Sequence, residues 1–213
     1  MLQAIAKQRG EFHTSSPRFV ILSILASFAC SSAVRAQSSA GVPVFKVSSV
    51  ESSIKFDVES SVTIRGTFKT WDATLTFTST DVATGVLDIK IQADSVDTGS
   101  GMKNGKLKGR DFFDVKQNPY ITFKSTKLVQ TGPESFEVDG DFAIRGVTKA
   151  EKLVLTVEGR GTGSASIKGT MAFDRKQYGM NGGIPFIKIA DRVDVTVSLK
   201  VNRVSGPPVA LQE

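Results

Sequence analysis

A two-residue alternation of apolar and polar side chains recurs along most of this chain, and it constrains the fold more than any other feature. Ile54, Phe56 and Val58 share one face of an extended segment, and Val62, Ile64, Gly66 and Phe68 share one face of the next. The pattern returns at Leu87, Ile89, Ile91 and Ala93, at Ile121 and Phe123, and at Phe136, Val138, Gly140, Phe142 and Ile144. It continues through Leu153, Leu155 and Val157, through Ala165, Ile167, Gly169, Met171 and Phe173, and ends in the cleanest run, Val193, Val195, Val197, Leu199 and Val201. Period two is the signature of a half-buried strand, and no long helical period competes with it. Between Phe68 and Trp71 the apolar set moves from even to odd positions (Trp71, Ala73, Leu75, Phe77). A one-residue slip turns every side chain over, so this switch predicts a bulge or sharp bend.

About eight or nine strands, each with one apolar face, must bury those faces together. A single antiparallel sheet does so by closing on itself, which also removes its exposed edges, or by packing on a second sheet. The expectation is an all-β protein whose antiparallel strands either close into a barrel or pack as two sheets.

Two stretches break the alternation. Residues 97–118 are Gly-rich at first and then carry Phe112, Phe113 and Val115, which predicts a loop with a short helix covering one end of the barrel as a lid. Residues 178–189 hold Gly179, Gly182, Gly183 and Pro185 beside Phe186 and Ile187. The segment 205–213, with Pro207 and Pro208, is expected to be a frayed, flexible tail.

The N-terminus reads differently. A basic region (Lys7, Arg9, Arg18) precedes the apolar run Phe19 to Cys30, and small residues follow up to Val34-Arg35-Ala36. The run is too short to span a bilayer but suits the apolar region of a secretory signal, so residues 1–36 are expected to be a signal peptide cut near Ala36. A retained interfacial anchor and a lipidated Cys30 are the alternatives. The domain proper would then run over 37–204. Such a cut halves the formal charge of +6, and the remaining charge is dispersed, which does not argue for nucleic acid. The one basic concentration, Lys103, Lys106, Lys108 and Arg110, reads as a solvated loop or as a surface for transient contact with anionic lipid headgroups.

The only histidine, His13, and the only cysteine, Cys30, lie inside this leader. Without it the chain has no histidine base, no thiol nucleophile, no disulfide, and no metal site of imidazole or thiolate. Paired carboxylates leave a hydrolase formally open, but no nucleophile elbow or phosphate-cradling loop is present. An outer-membrane barrel would need two aromatic girdles, which two Tyr and one Trp cannot build. The residues therefore point to a binding protein without cofactor or metal.

Four ordered segments carry a family likeness: Ser52 to Phe77, Lys108 to Phe123 with Asp111-Phe112-Phe113-Asp114 inside it, Val138 to Thr148, and Phe173 to Val193. In this order they resemble the YceI-like family. The chain departs from it at Ser60-Ser61, where many relatives carry a histidine, and at Met102-Lys103-Asn104-Gly105-Lys106. The resemblance implies an all-β fold of one extended, lipocalin-like antiparallel barrel of about eight strands, export to the periplasm or secretion, and a polyisoprenoid-type amphiphile, such as a quinone or prenyl phosphate, bound in an apolar lumen. A homodimer is compatible with it.

The ligand-binding set expected on this basis is Phe56, Phe68, Phe77, Ile89, Ile91, Phe123, Phe142, Phe173 and Phe186 in the lumen, with Phe112 and Phe113 on the lid. Asp174, Arg175 and Tyr178 are headgroup candidates, or else they pin a bend. Small inward residues (Gly140, Ala165, Gly169) either leave room for cargo or ease strand crossing in a filled core. A filled structural or stress-response barrel acting through its surface is the alternative. The repeated Ile-Arg-Gly at 64–66 and 144–146 reads as two similar strand bends.

Overall fold

The computed structural model describes residues 41–212 except 62–63, 160–161 and 184–185. The expected leader with His13, Cys30 and the Ala36 cut, and also Val62 and Pro185, lie outside the described residues.

The strands are β1 (Val44–Ser60), β2 (Ile64–Phe68), β3 (Trp71–Thr76), β4 (Val86–Gln92), β5 (Val96–Asp97), β6 (Tyr120–Gln130), β7 (Ser135–Ile144), β8 (Val147–Glu158), β9 (Ser164–Asp174) and β10 (Ile189–Ser205). All pair antiparallel in the order β10-β9-β8-β7-β6-β4-β3-β1-β2-β5, and β1 pairs with β10 to close the ring. Ten segments make an eight-stranded barrel because two positions are each filled twice. β2 lies on β1 and β3 lies on β4, with the chain turning over at Lys69–Thr70 between them. That turn is the predicted even-to-odd switch. β5 adds the matching short edge to β2.

Bulges explain where the alternation was hard to read. In β1 the register on β10 shifts between Ser48 and Ser53. Phe45 and Val47 pack on the core from odd positions, and Ile54, Phe56 and Val58 from even ones. The bulge is stitched by Ser52, whose hydroxyl donates to the Ser48 carbonyl at 2.5 Å and accepts from the Lys200 amide at 2.9 Å. A second shift lies at Ser125–Lys127 in β6, where the buried Ser125 hydroxyl accepts from the Leu87 amide at 2.8 Å. Without these hydroxyls each displaced amide would be a buried, unpaired donor.

The two Ile-Arg-Gly sequences are not equivalent. Ile64-Arg65-Gly66 runs straight through β2 against β1. Arg145-Gly146 is the two-residue β7–β8 hairpin loop, with φ of 52° and 73°. Both values are positive, as a type I′ turn requires, so the glycine is there for backbone conformation.

Residues 206–212 lie across the barrel mouth. Val209 and Leu211 pack on the core, and Ala210 bridges to Asp81, donating its amide to the Thr80 carbonyl at 2.7 Å. Apolar side chains ending beneath an open barrel mouth have surface to cover, and the two prolines stiffen the approach.

Strand residues facing outward include exposed Lys55, Lys90, Lys124, Asp141, Lys152 and Lys168. The apolar face points inward, as a water-exposed barrel requires.

Candidate functional site

The barrel interior is divided into two chambers by a packed waist. Leu87, Ile89, Phe123, Val138, Leu153 and Leu199 are all under 5% exposed and belong to neither chamber. Of the two readings of the small inward glycines, Gly140 and Gly169 follow the filled one. The Phe123 ring lies 2.5 Å from where a Cβ of Gly140 would sit, and Leu155 lies 2.8 Å from that of Gly169. The hollow at each glycine is filled by a neighbour, so these residues make close packing possible and create no lumen.

The near chamber, under the lid, has a cavity volume of about 80 Å³. Phe56, Phe68, Ile91, Phe112, Phe113, Phe142 and Phe173 line it. The aromatic rings form linked pairs with centroids 5.7 Å apart for Phe56–Phe68, 5.9 Å for Phe68–Phe113 and 5.0 Å for Phe142–Phe173. All are tilted, the arrangement ring quadrupoles favour.

The lid is helix α1 (Gly101–Lys108) and the turn after it. α1 contains two glycines and buries no side chain completely, so its own sequence holds it weakly. Its anchors lie outside it. The Asn104 carboxamide oxygen accepts from the Thr98 amide at 2.8 Å and from the Thr98 hydroxyl at 2.7 Å. Asp97 accepts from the Gly99 amide at 2.9 Å and pairs with Lys69 at 2.7 Å. The Lys69 ammonium, then the Gly99 amide, hold the Asp97 carboxyl down at about 2. Beyond α1 the Phe113 amide donates to the Leu107 carbonyl at 3.0 Å, which turns Phe112 and Phe113 down into the chamber. The lid then meets the 178–189 loop, where the Gly182 amide donates to the Asp111 carbonyl at 3.1 Å.

The three headgroup candidates are engaged within the protein. Arg175 is buried at the chamber wall, with Nε on the Ala190 carbonyl (3.0 Å), Nη1 on the Met180 and Gly182 carbonyls (2.6 and 2.9 Å) and Nη2 on Asp191 (3.2 Å). It shapes the loop that covers the chamber. Asp174 accepts from the Lys176 amide at 2.8 Å and caps the turn at Arg175–Tyr178. Tyr178 is fully buried, edge-on to Phe142 and Phe173, and its hydroxyl donates to Glu151 at 2.7 Å. Burial first, and Glu151 second, push this phenol well above its ordinary value, so it stays protonated.

The remaining candidates fall elsewhere. Ile89 and Phe123 form the waist, and Phe77 lines the far chamber. Phe186 lies outside both chambers, fully exposed, with φ of 66°. Its turn bends the backbone into the left-handed region and carries the ring outward, against the inward placement expected of it.

The far chamber, at the other end, has a cavity volume of about 150 Å³. Leu75, Phe77, Leu128, Phe136, Leu155 and Ala165 line it, and Pro208, Val209 and Leu211 of the tail cover it. The sequence reading missed Phe45, Leu107, Met180, Ile189, Val209 and Leu211 as chamber residues. Phe45 was hidden by the β1 bulge and Leu107 by its place in the short helix α1; the others sit in irregular segments or at a strand end, where no alternation marks them.

Among the described residues no group of three or more acidic, histidine or cysteine side chains is placed to hold a metal. What the geometry offers among the described residues is two largely apolar compartments in a closed antiparallel barrel.

That architecture defines a class of closed antiparallel barrels with apolar interiors. Residues 45–201 match the YceI-like domain, and the chain belongs to that family. It is 29% identical over 138 residues to a UPF0312 protein of Pseudomonas syringae pv. tomato, covering 62% of this chain and 71% of that protein. It is 34% identical over 96 residues to Protein YceI of Escherichia coli O157:H7, covering 45% and 50%. Among solved structures, Burkholderia cenocepacia BcnA superposes with a TM-score of 0.65 at 25% identity, covering 73% of this chain and 99% of that one. A polyisoprenoid binding domain from Saccharophagus degradans shares the fold, with a TM-score of 0.59 at 13% identity, covering 76% and 99%.

Proposed function

We propose that this protein is a non-catalytic carrier that takes the apolar chain of an isoprenoid-type amphiphile into the near chamber, beneath Phe112 and Phe113. One observation carries the reading: seven of the aromatic and aliphatic residues expected to bind ligand converge on a single chamber whose cover is a weakly self-supporting lid. The family and the polyisoprenoid binding neighbour support it. Each methylene moved from water into such a chamber contributes about 0.8 kcal/mol.

Size adds a condition. A cavity of about 150 Å³ accepts a benzene-sized molecule, and the near chamber, at about 80 Å³, is smaller. A long prenyl chain therefore enters only as the lid lifts, with the part that the chamber cannot take lying under Phe112 and Phe113. On this reading the lid end faces a membrane during loading. Exposed Met102 and Phe186 and the cations Lys106, Lys108 and Arg110 lie around it, a combination that suits an anionic bilayer surface. Export from the cytoplasm and the absence of a catalytic cofactor belong to the same proposal.

The test is native mass spectrometry of protein purified gently from its own host, followed by organic extraction. A stoichiometric adduct with an isoprenoid fragmentation pattern supports the carrier. A bare mass that takes up neither added quinones nor prenyl phosphates contradicts it and favours the filled barrel acting through its surface.

A further inference from the structure

The far chamber has the makings of a site in its own right. It shares no lining residue with the near chamber, and the waist between them is packed. Its cover is the chain's own segment 206–212, held by few contacts. The Ala210 amide donates to the Thr80 carbonyl at 2.7 Å, Gln130 and Gln212 exchange two hydrogen bonds of 2.7 and 2.8 Å, and Val209 and Leu211 are only half-buried. Among the described residues that line the chamber, Arg203 alone carries a charge. Its guanidinium Nη1 donates to the Gly206 carbonyl, at the point where the tail leaves β10.

We propose that the far chamber is a second, independent binding site for a single-chain anionic amphiphile, a medium-chain fatty acid, with residues 206–212 as its displaceable plug. The chain would occupy the cavity and the space vacated by Val209 and Leu211. A benzene-sized volume enlarged by two aliphatic side chains suits about ten carbons. The carboxylate would take Arg203 from the neutral Gly206 carbonyl, exchanging a hydrogen bond with one charged partner for an ion pair in which both are charged. One contact thus both holds the plug and, when broken, frees the cation for the ligand.

The proposal does not rest on what the near chamber binds. Its test is calorimetric titration of the full chain with decanoate and with decanol, alongside three variants. Leu211→Asp loosens the plug without touching a strand, and because less of the binding-competent state is then masked, decanoate should bind about tenfold tighter. Arg203→Gln should bring decanoate down to the affinity of decanol. Ala165→Phe fills the chamber and should abolish binding of both, with circular dichroism confirming the fold. If Ala165→Phe does not fold, the Leu211→Asp result decides. Geranylgeraniol added first should leave decanoate binding unchanged. The proposal is overturned if decanoate binds neither the full chain nor Leu211→Asp, if it binds folded Ala165→Phe unchanged, if decanol matches decanoate on the full chain, or if geranylgeraniol competes.

Discussion

The two ends of the barrel are closed by different means. At the lid end, a long excursion between β5 and β6 folds back over the mouth and drops two phenylalanines into it. At the tail end, a short segment after the last strand lies across the opening. The lid is anchored by a polar network outside the barrel, around Asp97 and Asn104, and is latched to a second loop. The tail is held by one bridge, one glutamine pair, the Arg203–Gly206 hydrogen bond and the packing of Val209 and Leu211. Equivalent apolar interiors therefore meet solvent through covers with different triggers, and the waist decides whether they act as two sites or one.

The largest effect should come from the waist. Phe123→Ala removes the ring that covers Gly140 and should cost about 3–5 kcal/mol in denaturant unfolding. In the folded fraction it should join the chambers, so that ligands of the two ends compete. An aspartate at Ile91 should abolish folding or near-chamber binding outright, because an unpaired charge there has no partner; a folded Ile91→Asp protein that still retains lipid would refute the near-chamber assignment.

Phe113→Ala breaks the symmetry at the lid. It should cost about 3 kcal/mol and weaken prenyl uptake while leaving decanoate titrations unchanged. Tyr178→Phe keeps the rings together but strands Glu151, and should cost about 1–2 kcal/mol without changing which ligand binds.

Acid distinguishes the covers at smaller cost. The Asp97 carboxyl titrates near 2 in the fold against 3.8 ordinarily. Its contribution is therefore present above pH 3.8 and fades as pH falls towards 2. Hydrogen exchange of amides 98–108 should accelerate over that interval, while the amide of Ala210 should keep its protection. Equal loss at both ends would mean global unfolding, not release of the lid.

Much of this was legible in the sequence. The alternation of β7, β9 and β10 led directly to inward-facing strands, and the phase switch before Trp71 is the turn between β2 and β3. Phe112 and Phe113 were identifiable as chamber residues because apolar side chains in a Gly-rich excursion need somewhere to pack. The rest depended on information that period two does not carry. The serine-stitched bulges in β1 and β6 reverse the alternation, which hid Phe45. Gly140 read either as space or as relief for strand crossing, and it is a slot for Phe123. Arg175 read either as a headgroup candidate or as a pin for a bend, and its guanidinium is bound to carbonyls of a loop remote in the alternation pattern. The tail's place across the mouth was not legible, because its prolines were visible and the apolar mouth beneath it was not.

The most direct test of the two-chamber account is a methyl-resolved NMR titration of the full chain with a short prenyl alcohol. The account predicts shifts at Ile91, Ile121, Ile144 and Val193, with Leu155, Val157 and Val201 silent. Shifts spread evenly over both sets, or confined to surface methyls such as Val50 and Val154, would contradict it.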